Sequence, residues 1–223
     1  MPALAGKATD TMSSPAQRPP KILTPQPIGR RFLVVPAALP LPETDRIVLH
    51  IDAGSAFGDG AHPTTQLCLA ALDRHCRPGA LIDLGAGTGI LAIAAAKLGA
   101  APVLAVDIDA ASVEIARANI ERNDVTGAVR AEEGSLADVL AGRYGVAQAP
   151  VVVANILAHV LVDFFAAGLA DTVTPGGLLI LSGVLRTQGP ELRARLGWHG
   201  LTLAAEERSG EWLCVIARKA GNA

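Results

Sequence analysis

A glycine-rich turn between an apolar strand and an apolar helix constrains the fold of this chain more than any other segment. Residues 81–99 have the sequence L-I-D-L-G-A-G-T-G-I-L-A-I-A-A-A-K-L-G, with glycines at positions 85, 87 and 89. Glycine lets a ligand approach the backbone closely, and the N-terminus of the following helix presents free N–H groups and a positive dipole end. The segment therefore predicts a strand, a tight turn and a helix that together bind a nucleotide cofactor.

A second acidic strand end indicates that this cofactor contains adenosine. Val103–Asp107, with the sequence V-L-A-V-D, is the next apolar strand, and its terminal carboxylate lies 22 positions after Gly85. An acid at about this distance binds the ribose hydroxyls in nucleotide-binding βαβ units. Asp107 is therefore predicted to contact the ribose.

The glycine spacing distinguishes two classes of cofactor. The dinucleotide fingerprint is G-x-G-x-x-G, but this chain has G-x-G-x-G, with Ile90 at the position of the third small residue. Asp83 also precedes the first glycine by two positions. This pattern resembles motif I of the class I S-adenosylmethionine-dependent methyltransferases, in which that acid lies close to the amino-acid end of the cofactor. Asp83 has a second interpretation as an acceptor that stabilises the turn, and a nicotinamide-dependent oxidoreductase is the alternative class.

Strand and helix patterns alternate from Arg46 onward. Strands are predicted over residues 46–51, 103–107, 151–155, 178–182, 201–207 and 212–218, helices over 63–75, 111–122 and 157–173, and weaker signals over 128–141. The last two strands are expected to pair antiparallel. The alternation predicts a Rossmann-like α/β fold of the class I methyltransferase type: a mostly parallel seven-stranded sheet, helices on both faces and an antiparallel C-terminal strand. The ligand is expected at the carboxyl ends of the first strands.

The N-terminal part of the chain has a different composition. The first 42 residues contain nine of the fifteen prolines, and residues 1–30 have neither helical nor strand periodicity. We therefore predict a disordered, proline-rich tail over residues 1–28, a linker over 29–45 and the methyltransferase domain over 46–220.

Charge and cysteine content narrow the possible partners. The formal net charge is −2 and no basic tract is present, so the composition does not favour nucleic acid as a partner. No apolar run approaches the roughly 20 residues of a membrane helix, and a cytoplasmic location is expected. The three cysteines are widely separated and form no C-x-x-C pair, which indicates reduced thiols rather than a metal site or disulfides.

Two further segments narrow the resemblance to one family. Residues 51–68, I-D-A-G-S-A-F-G-D-G-A-H-P-T-T-Q-L-C, resemble the D-P-G-x-A-F-G-T-G-x-H-P-T-T-x-L-C signature of the ribosomal protein L11 methyltransferase family. Residues 153–157, V-A-N-I-L, resemble the segment that follows the fourth strand in that family. Similarity continues through residues 175–183 and 211–213, so that it extends from about residue 32 to 219.

The resemblance implies a position for each cofactor contact. Thr65, the second threonine of H-P-T-T, corresponds to the family residue that bonds the methionine end of S-adenosylmethionine. Gly85, with Gly87 in the same turn, corresponds to backbone that lies against the ligand. Asp107 corresponds to the bidentate acceptor for the ribose hydroxyls. Asn155 corresponds to the asparagine beside the transferable methyl group, where we expect its side-chain carbonyl to orient an acceptor amine.

Three of these side chains have alternative interpretations. Asn155 is also expected as a polar strand end that caps the next helix. Phe57 is either a lid residue over the cofactor or a loop anchor packed on the core. His62 is either a general base or, more commonly for a His-Pro that opens a helix, a structural residue.

The acceptor is less well defined than the reaction. The family threonine of F-G-T-G is Asp59 here, and the proline of D-P-G is Ala53. Family members carry a separate N-terminal domain that grips ribosomal protein L11, whereas only about 45 residues precede the signature here. The expected function is N-methylation of a lysine or N-terminal amine of a protein such as ribosomal protein L11, and the alternative is N-methylation of a small amine.

Overall fold

Strands and helices alternate along residues 24–221, which are the residues that the computed structural model describes. The strands are β1 (Gln26–Ile28), β2 (Phe32–Pro36), β3 (Ile47–Ile51), β4 (Gly79–Leu84), β5 (Ala100–Asp107), β6 (Val129–Glu133), β7 (Ala149–Asn155), β8 (Val173–Leu185), β9 (Leu201–Ser209) and β10 (Trp212–Lys219). The helices are α1 (Pro63–His75), α2 (Ile90–Lys97), α3 (Ala110–Arg122), α4 (Leu136–Leu140), α5 (Ala158–Ala166) and α6 (Gly189–Trp198). None of the helices in this range is long and apolar enough to cross a membrane.

Seven of the strands form one mostly parallel sheet, in the order β6-β5-β4-β7-β8-β10-β9. The strands from β6 to β8 are parallel to one another, and β10 is antiparallel to both β8 and β9. Because β5 and β7 flank β4 on opposite sides, the strand order reverses at β4, where open α/β sheets bind their ligands. The predicted Rossmann-like fold and the antiparallel C-terminal strand are confirmed.

The sheet separates two apolar layers. Along β7, Val151 and Val153 pack in the layer that contains α1, α2 and α3, whereas Val152 and Ala154 pack in the layer that contains α4, α5 and α6. Alternate side chains of a strand point to opposite faces, so an apolar residue is needed at each position when both faces are covered. This explains the continuous apolar run in β7 and confirms that helices cover both faces.

The N-terminal boundaries differ from those predicted. The strands β1, β2 and β3 form a separate three-stranded sheet in which β2 is antiparallel to β1 and parallel to β3. Phe32 is fully buried in the layer under α1, and Asp73 of α1 accepts hydrogen bonds from the Arg30 backbone N–H and the Arg31 guanidinium. The segment predicted as a linker over 29–45 thus contains a strand of the core, and β1 lies within the predicted tail. Residues 1–23 of that tail are outside the described range.

The helix predicted over residues 157–173 is shorter in the structure. The helix α5 ends at Ala166, and Gly168 follows with a positive φ of 101°, a backbone conformation that favours glycine and commonly ends helices. A 3₁₀ turn over Leu169–Thr172 then leads into β8. Helical periodicity continued through the apolar residues of this turn, so the sequence pattern did not mark the break.

Candidate active site

Four of the predicted site residues meet at the carboxyl edge of the sheet. Gly85 follows β4, Asp107 ends β5 and Asn155 ends β7, while Thr65 lies in the first turns of α1. The Asn155 side-chain Nδ2 donates a hydrogen bond of 3.3 Å to the Thr65 hydroxyl, across 90 positions of sequence. The structure therefore brings the H-P-T-T segment and the A-N-I-L segment together beside the glycine-rich turn.

The glycines of the turn are required by the backbone and by close neighbours within the protein. Gly85, Gly87 and Gly89 have φ values of 73°, 54° and 77°, in the left-handed region that side chains disfavour. A Cβ atom on Gly85 would lie 2.4 Å from the Ile156 side chain, and one on Gly87 would lie 2.4 Å from the Phe57 carbonyl oxygen. The packing of neighbouring loops therefore excludes side chains here before any ligand is considered.

The Asp107 carboxylate is oriented by two backbone N–H groups. Its Oδ2 accepts from the Gly87 N–H at 2.8 Å, and its Oδ1 accepts from the Asp109 N–H at 3.0 Å. An ionised carboxylate has about four acceptor positions, so both oxygens retain acceptor capacity. The side chain is half-buried, which keeps it accessible to a ligand at the strand end.

Ile108 is a site residue that the sequence reasoning missed. It directly follows Asp107 and its exposed fraction is 78%, the highest among the large apolar side chains noted as exposed. A lone exposed isoleucine is common on protein surfaces, but here it borders the oriented carboxylate. The signal was an apolar residue between Asp107 and Asp109, in a position that strand periodicity does not explain.

Asp83 occupies the apolar layer beneath the turn. The side chain is fully buried, its Oδ2 accepts from the Ala92 N–H of α2 at 3.1 Å, and its Oδ1 has no hydrogen-bond partner. Burial raises the pKa of Asp83 to about 7, the hydrogen bond from Ala92 opposes this rise, and the nearby Asp107 charge adds to it. The contact with α2 matches the interpretation of Asp83 as an acceptor that stabilises the turn.

Replacing Asp83 by asparagine should change how the stability depends on pH. The folded-state pKa is raised above the unfolded value, so the folded state binds more protons, and the free energy of unfolding should fall as pH rises through 7. The uncharged amide keeps an acceptor for Ala92 and removes this loss, worth about 1–3 kcal/mol at pH 8.5. We expect the melting temperature of Asp83→Asn to exceed that of the wild type at pH 8.5, with the difference shrinking at pH 5.5. A difference that is constant across this range would show that Asp83 does not titrate there.

The loop over residues 52–62 crosses the glycine-rich turn. The Phe57 carbonyl accepts from the Thr88 N–H at 3.0 Å, and the Gly58 carbonyl accepts from the buried Thr88 hydroxyl at 2.6 Å. These bonds anchor the backbone of Phe57, whereas its ring is 43% exposed. Phe57 therefore combines an anchored main chain with a side chain that is available at the rim of the site.

Three aromatic rings form a row along this rim. The Phe57 and His62 ring centroids are 5.3 Å apart, and those of His62 and Trp212 are 4.7 Å apart, both with edge-on geometry. Trp212 begins β10, and the sequence reasoning assigned it no role. The signal was a tryptophan directly after the turn that joins β9 and β10.

His62 is the N-cap residue of α1. Its Nδ1 lies 2.7 Å from the Thr64 hydroxyl and accepts from the Thr64 N–H at 3.3 Å. Burial lowers the pKa of His62, and the negative charge of Asp59 opposes this only in part, so the imidazole is neutral at pH 7. These contacts match the structural interpretation of the His-Pro pair rather than a role as general base.

Asn155 does not cap the helix that follows it. The N-cap residue of α5 is Leu157, and no side chain makes the cap hydrogen bond. The Asn155 Oδ1 is instead buried without a hydrogen-bond partner among residues 24–221, while its Nδ2 is held by Thr65. Buried acceptors in folded proteins are nearly always paired, so this oxygen indicates a position for a donor from a ligand.

The fold and the strand-end residues define a Rossmann-like protein of the class I methyltransferase type. The family model described as "Ribosomal protein L11 methyltransferase (PrmA)" matches residues 16–220. The chain belongs to this family, as its motifs predicted.

Curated relatives support this assignment. A ribosomal protein L11 methyltransferase of Geobacter metallireducens is 44% identical over 193 residues, and one of Chloroflexus aurantiacus is 41% identical over 213 residues. These alignments each cover 86% of this chain, and 62% and 65% of the respective relatives. Across the first relatives, the chain spans 61–65% of their length.

Solved structures agree with the family and the fold. The crystal structure of a ribosomal protein L11 methylase from Lactobacillus delbrueckii subsp. bulgaricus is 31% identical, with a TM-score of 0.76, and the match covers 88% of this chain and 98% of that one. A precorrin-6y C5,15-methyltransferase from Geobacter metallireducens is 17% identical with a TM-score of 0.55, which supports only the shared fold.

Proposed function

We propose that this protein is an S-adenosylmethionine-dependent methyltransferase that transfers methyl groups to amino groups of a protein such as ribosomal protein L11. The observation that supports the proposal most directly is the buried, unpartnered Oδ1 of Asn155 at the carboxyl edge of the sheet. Family membership supports it independently. A ribosomal protein as acceptor would place the reaction in the cytoplasm.

The residues at the sheet edge suit the parts of this cofactor. The oriented carboxylate of Asp107 would accept from the two ribose hydroxyls, and the exposed Ile108 would cover an adenine face. Gly85 would leave room for the ligand beside the turn, and the Thr65 hydroxyl would face the methionine end. Asp83 stays a predicted partner of the amino-acid end, since its free Oδ1 is close to this turn but fully buried.

The chain's own groups would orient the acceptor rather than bond to it covalently. S-adenosylmethionine, when bound, supplies a sulfonium methyl that a neutral amine attacks in line with the carbon–sulfur bond. Thr65 fixes the Asn155 amide so that its Oδ1 can accept an N–H of the amine and direct the nitrogen lone pair. Such positioning supplies most of the acceleration in a reaction that needs little covalent work from the enzyme.

The aromatic row favours an alkyl amine as acceptor. An amine arrives largely protonated at pH 7, and a cation is attracted to the faces of tryptophan and phenylalanine rings. His62 lies between Phe57 and Trp212 and is neutral, so it adds no repulsive charge. The row would then form an apolar approach to Asn155 in which partial desolvation lowers the amine pKa.

Incubation with labelled S-adenosylmethionine tests both the reaction and the acceptor. We expect purified ribosomal protein L11 to gain label, and expect label in protein when whole-cell extract is supplied. A mixture with the Asn155→Ala variant serves as the control for contaminating activity. Label that enters only small molecules would favour the small-amine alternative, and the absence of any transfer would contradict the proposed function.

A further inference from the structure

A charged cavity lies at the same sheet edge as Asn155, beyond β8. Its volume is about 370 Å³. Its charged lining consists of Arg186, Arg193, Arg208, Glu206 and Glu211. Neither the proposed cofactor contacts nor the aromatic row uses these side chains.

One glutamate holds two of the arginines in place. The Glu206 Oε1 accepts from Nε and Nη2 of Arg208 at 3.0 and 2.7 Å, and its Oε2 accepts from Nη1 of Arg193 at 2.6 Å. Both oxygens of this carboxylate, whose side chain is only 13% exposed, are therefore occupied. The two guanidinium groups are pre-positioned, and each retains further N–H donors.

Arg186 is the unpaired cation of this cluster. Its guanidinium forms no ion pair with any carboxylate of residues 24–221, and its backbone N–H donates to the Glu211 carbonyl at 2.8 Å. The cavity therefore holds three guanidinium groups and two carboxylates, with one excess positive charge. An exposed arginine beside two fixed ones suits a carboxylate ligand, which guanidinium groups bind through paired hydrogen bonds.

The cavity is within reach of a peptide whose amine lies at Asn155. Asn155 pairs in register with Ser182 of β8, and Leu185 at the cavity is three residues further along that strand. At about 3.3 Å per residue, this separation is roughly 10 Å. Trp212, the register partner of Leu185, also contacts His62, so the aromatic row connects the two places.

We propose that this cavity binds an acidic side chain of the polypeptide acceptor, about three residues from the amine that is methylated. The proposal rests on the proposed function, because it assumes that a polypeptide is the acceptor. An extended chain spans about 3.3–3.6 Å per residue, so three residues match the roughly 10 Å between Asn155 and the cavity. The acidic residue would add affinity and select which amine reaches Asn155.

Steady-state kinetics with ribosomal protein L11 test the role of Arg186. We expect Arg186→Gln to raise KM for L11 about fivefold, as for loss of a partly exposed charged pair, with kcat within about twofold. The Kd for S-adenosylhomocysteine should not change. Arg143→Gln is the matched control, since Arg143 is an exposed arginine that pairs with Asp138, after α4, and does not line the cavity. An unchanged KM for Arg186→Gln would overturn the proposal.

Peptide binding separates this proposal from the methylation assay. Two fluorescent peptides, Ac-Gly-Glu-Gly-Gly-Lys-Gly and the same sequence with glutamine for glutamate, are titrated with the enzyme and followed by anisotropy in the presence of S-adenosylhomocysteine. We expect the glutamate peptide to bind about fivefold more tightly, and expect Arg186→Gln to abolish that difference. Equal binding of the two peptides, or their displacement by single-stranded RNA at lower concentration than by the unlabelled glutamate peptide, would overturn the proposal. Failure of L11 methylation alone would reject the proposed acceptor and leave this result to judge the cavity.

Discussion

Replacing Asn155 with alanine should lower kcat for methyl transfer by about tenfold or more, while the Kd for S-adenosylmethionine changes only a few-fold. The reason is that the Asn155 Oδ1 is buried without a partner, so its proposed donor is the acceptor amine. An interaction that is made mainly in the transition state affects turnover more than ground-state affinity. Single-turnover rates and calorimetric titration with S-adenosylmethionine measure the two quantities separately.

Asn155→Asp is the matched control for this prediction. The carboxylate retains an acceptor oxygen toward the amine, and the Thr65 hydroxyl can donate to its other oxygen in place of the present bond. We therefore expect this variant to keep more of the turnover than alanine does. If alanine lowers affinity and kcat in parallel, Asn155 is a cofactor contact alone. If it changes neither, the group that orients the amine must be another residue near the loop over 52–62.

Replacing Asp107 with alanine should weaken S-adenosylhomocysteine binding by at least tenfold. Two ribose hydroxyls would lose a charged acceptor, and each such hydrogen bond contributes roughly 1.5–3 kcal/mol. The carboxylate also accepts from the Gly87 N–H, so alanine additionally loosens the glycine-rich turn. Calorimetry gives the Kd, and an unchanged value would contradict the assignment of Asp107 to the ribose.

Two further variants separate the charge of Asp107 from its structural role. Asp107→Asn keeps an acceptor for Gly87 but removes the charge, so its Kd should lie between those of the wild type and the alanine variant. Asp109→Ala removes a nearby carboxylate that caps α3 by accepting from the N–H groups of Ala111 and Ser112. Its loss should cost about 1 kcal/mol of stability and leave the Kd within a few-fold of the wild type. Equal weakening by both substitutions would indicate a general electrostatic effect.

Local patterns contain the parts of the site that lie at strand ends. Asp107 and Asn155 were identified because each closes an apolar strand, and the carboxyl ends of parallel strands share one edge of the sheet. The left-handed turn at Gly85 was likewise evident from composition, since few other residues adopt that conformation. Such features depend on a few neighbouring residues, and their periodicity appears in the sequence itself.

The sequence by itself determined the Rossmann-like α/β order, the glycine-rich turn and the residues at the sheet edge, because these follow from alternating and helical periods. Tertiary structure alone decided which groups meet across long separations: Asn155 with Thr65, and Phe57 with Trp212 through His62. It also decided that β1 and β2 join the core and that Asp83 lies in an apolar layer. Such contacts depend on how elements pack, and packing leaves no fixed spacing along the chain.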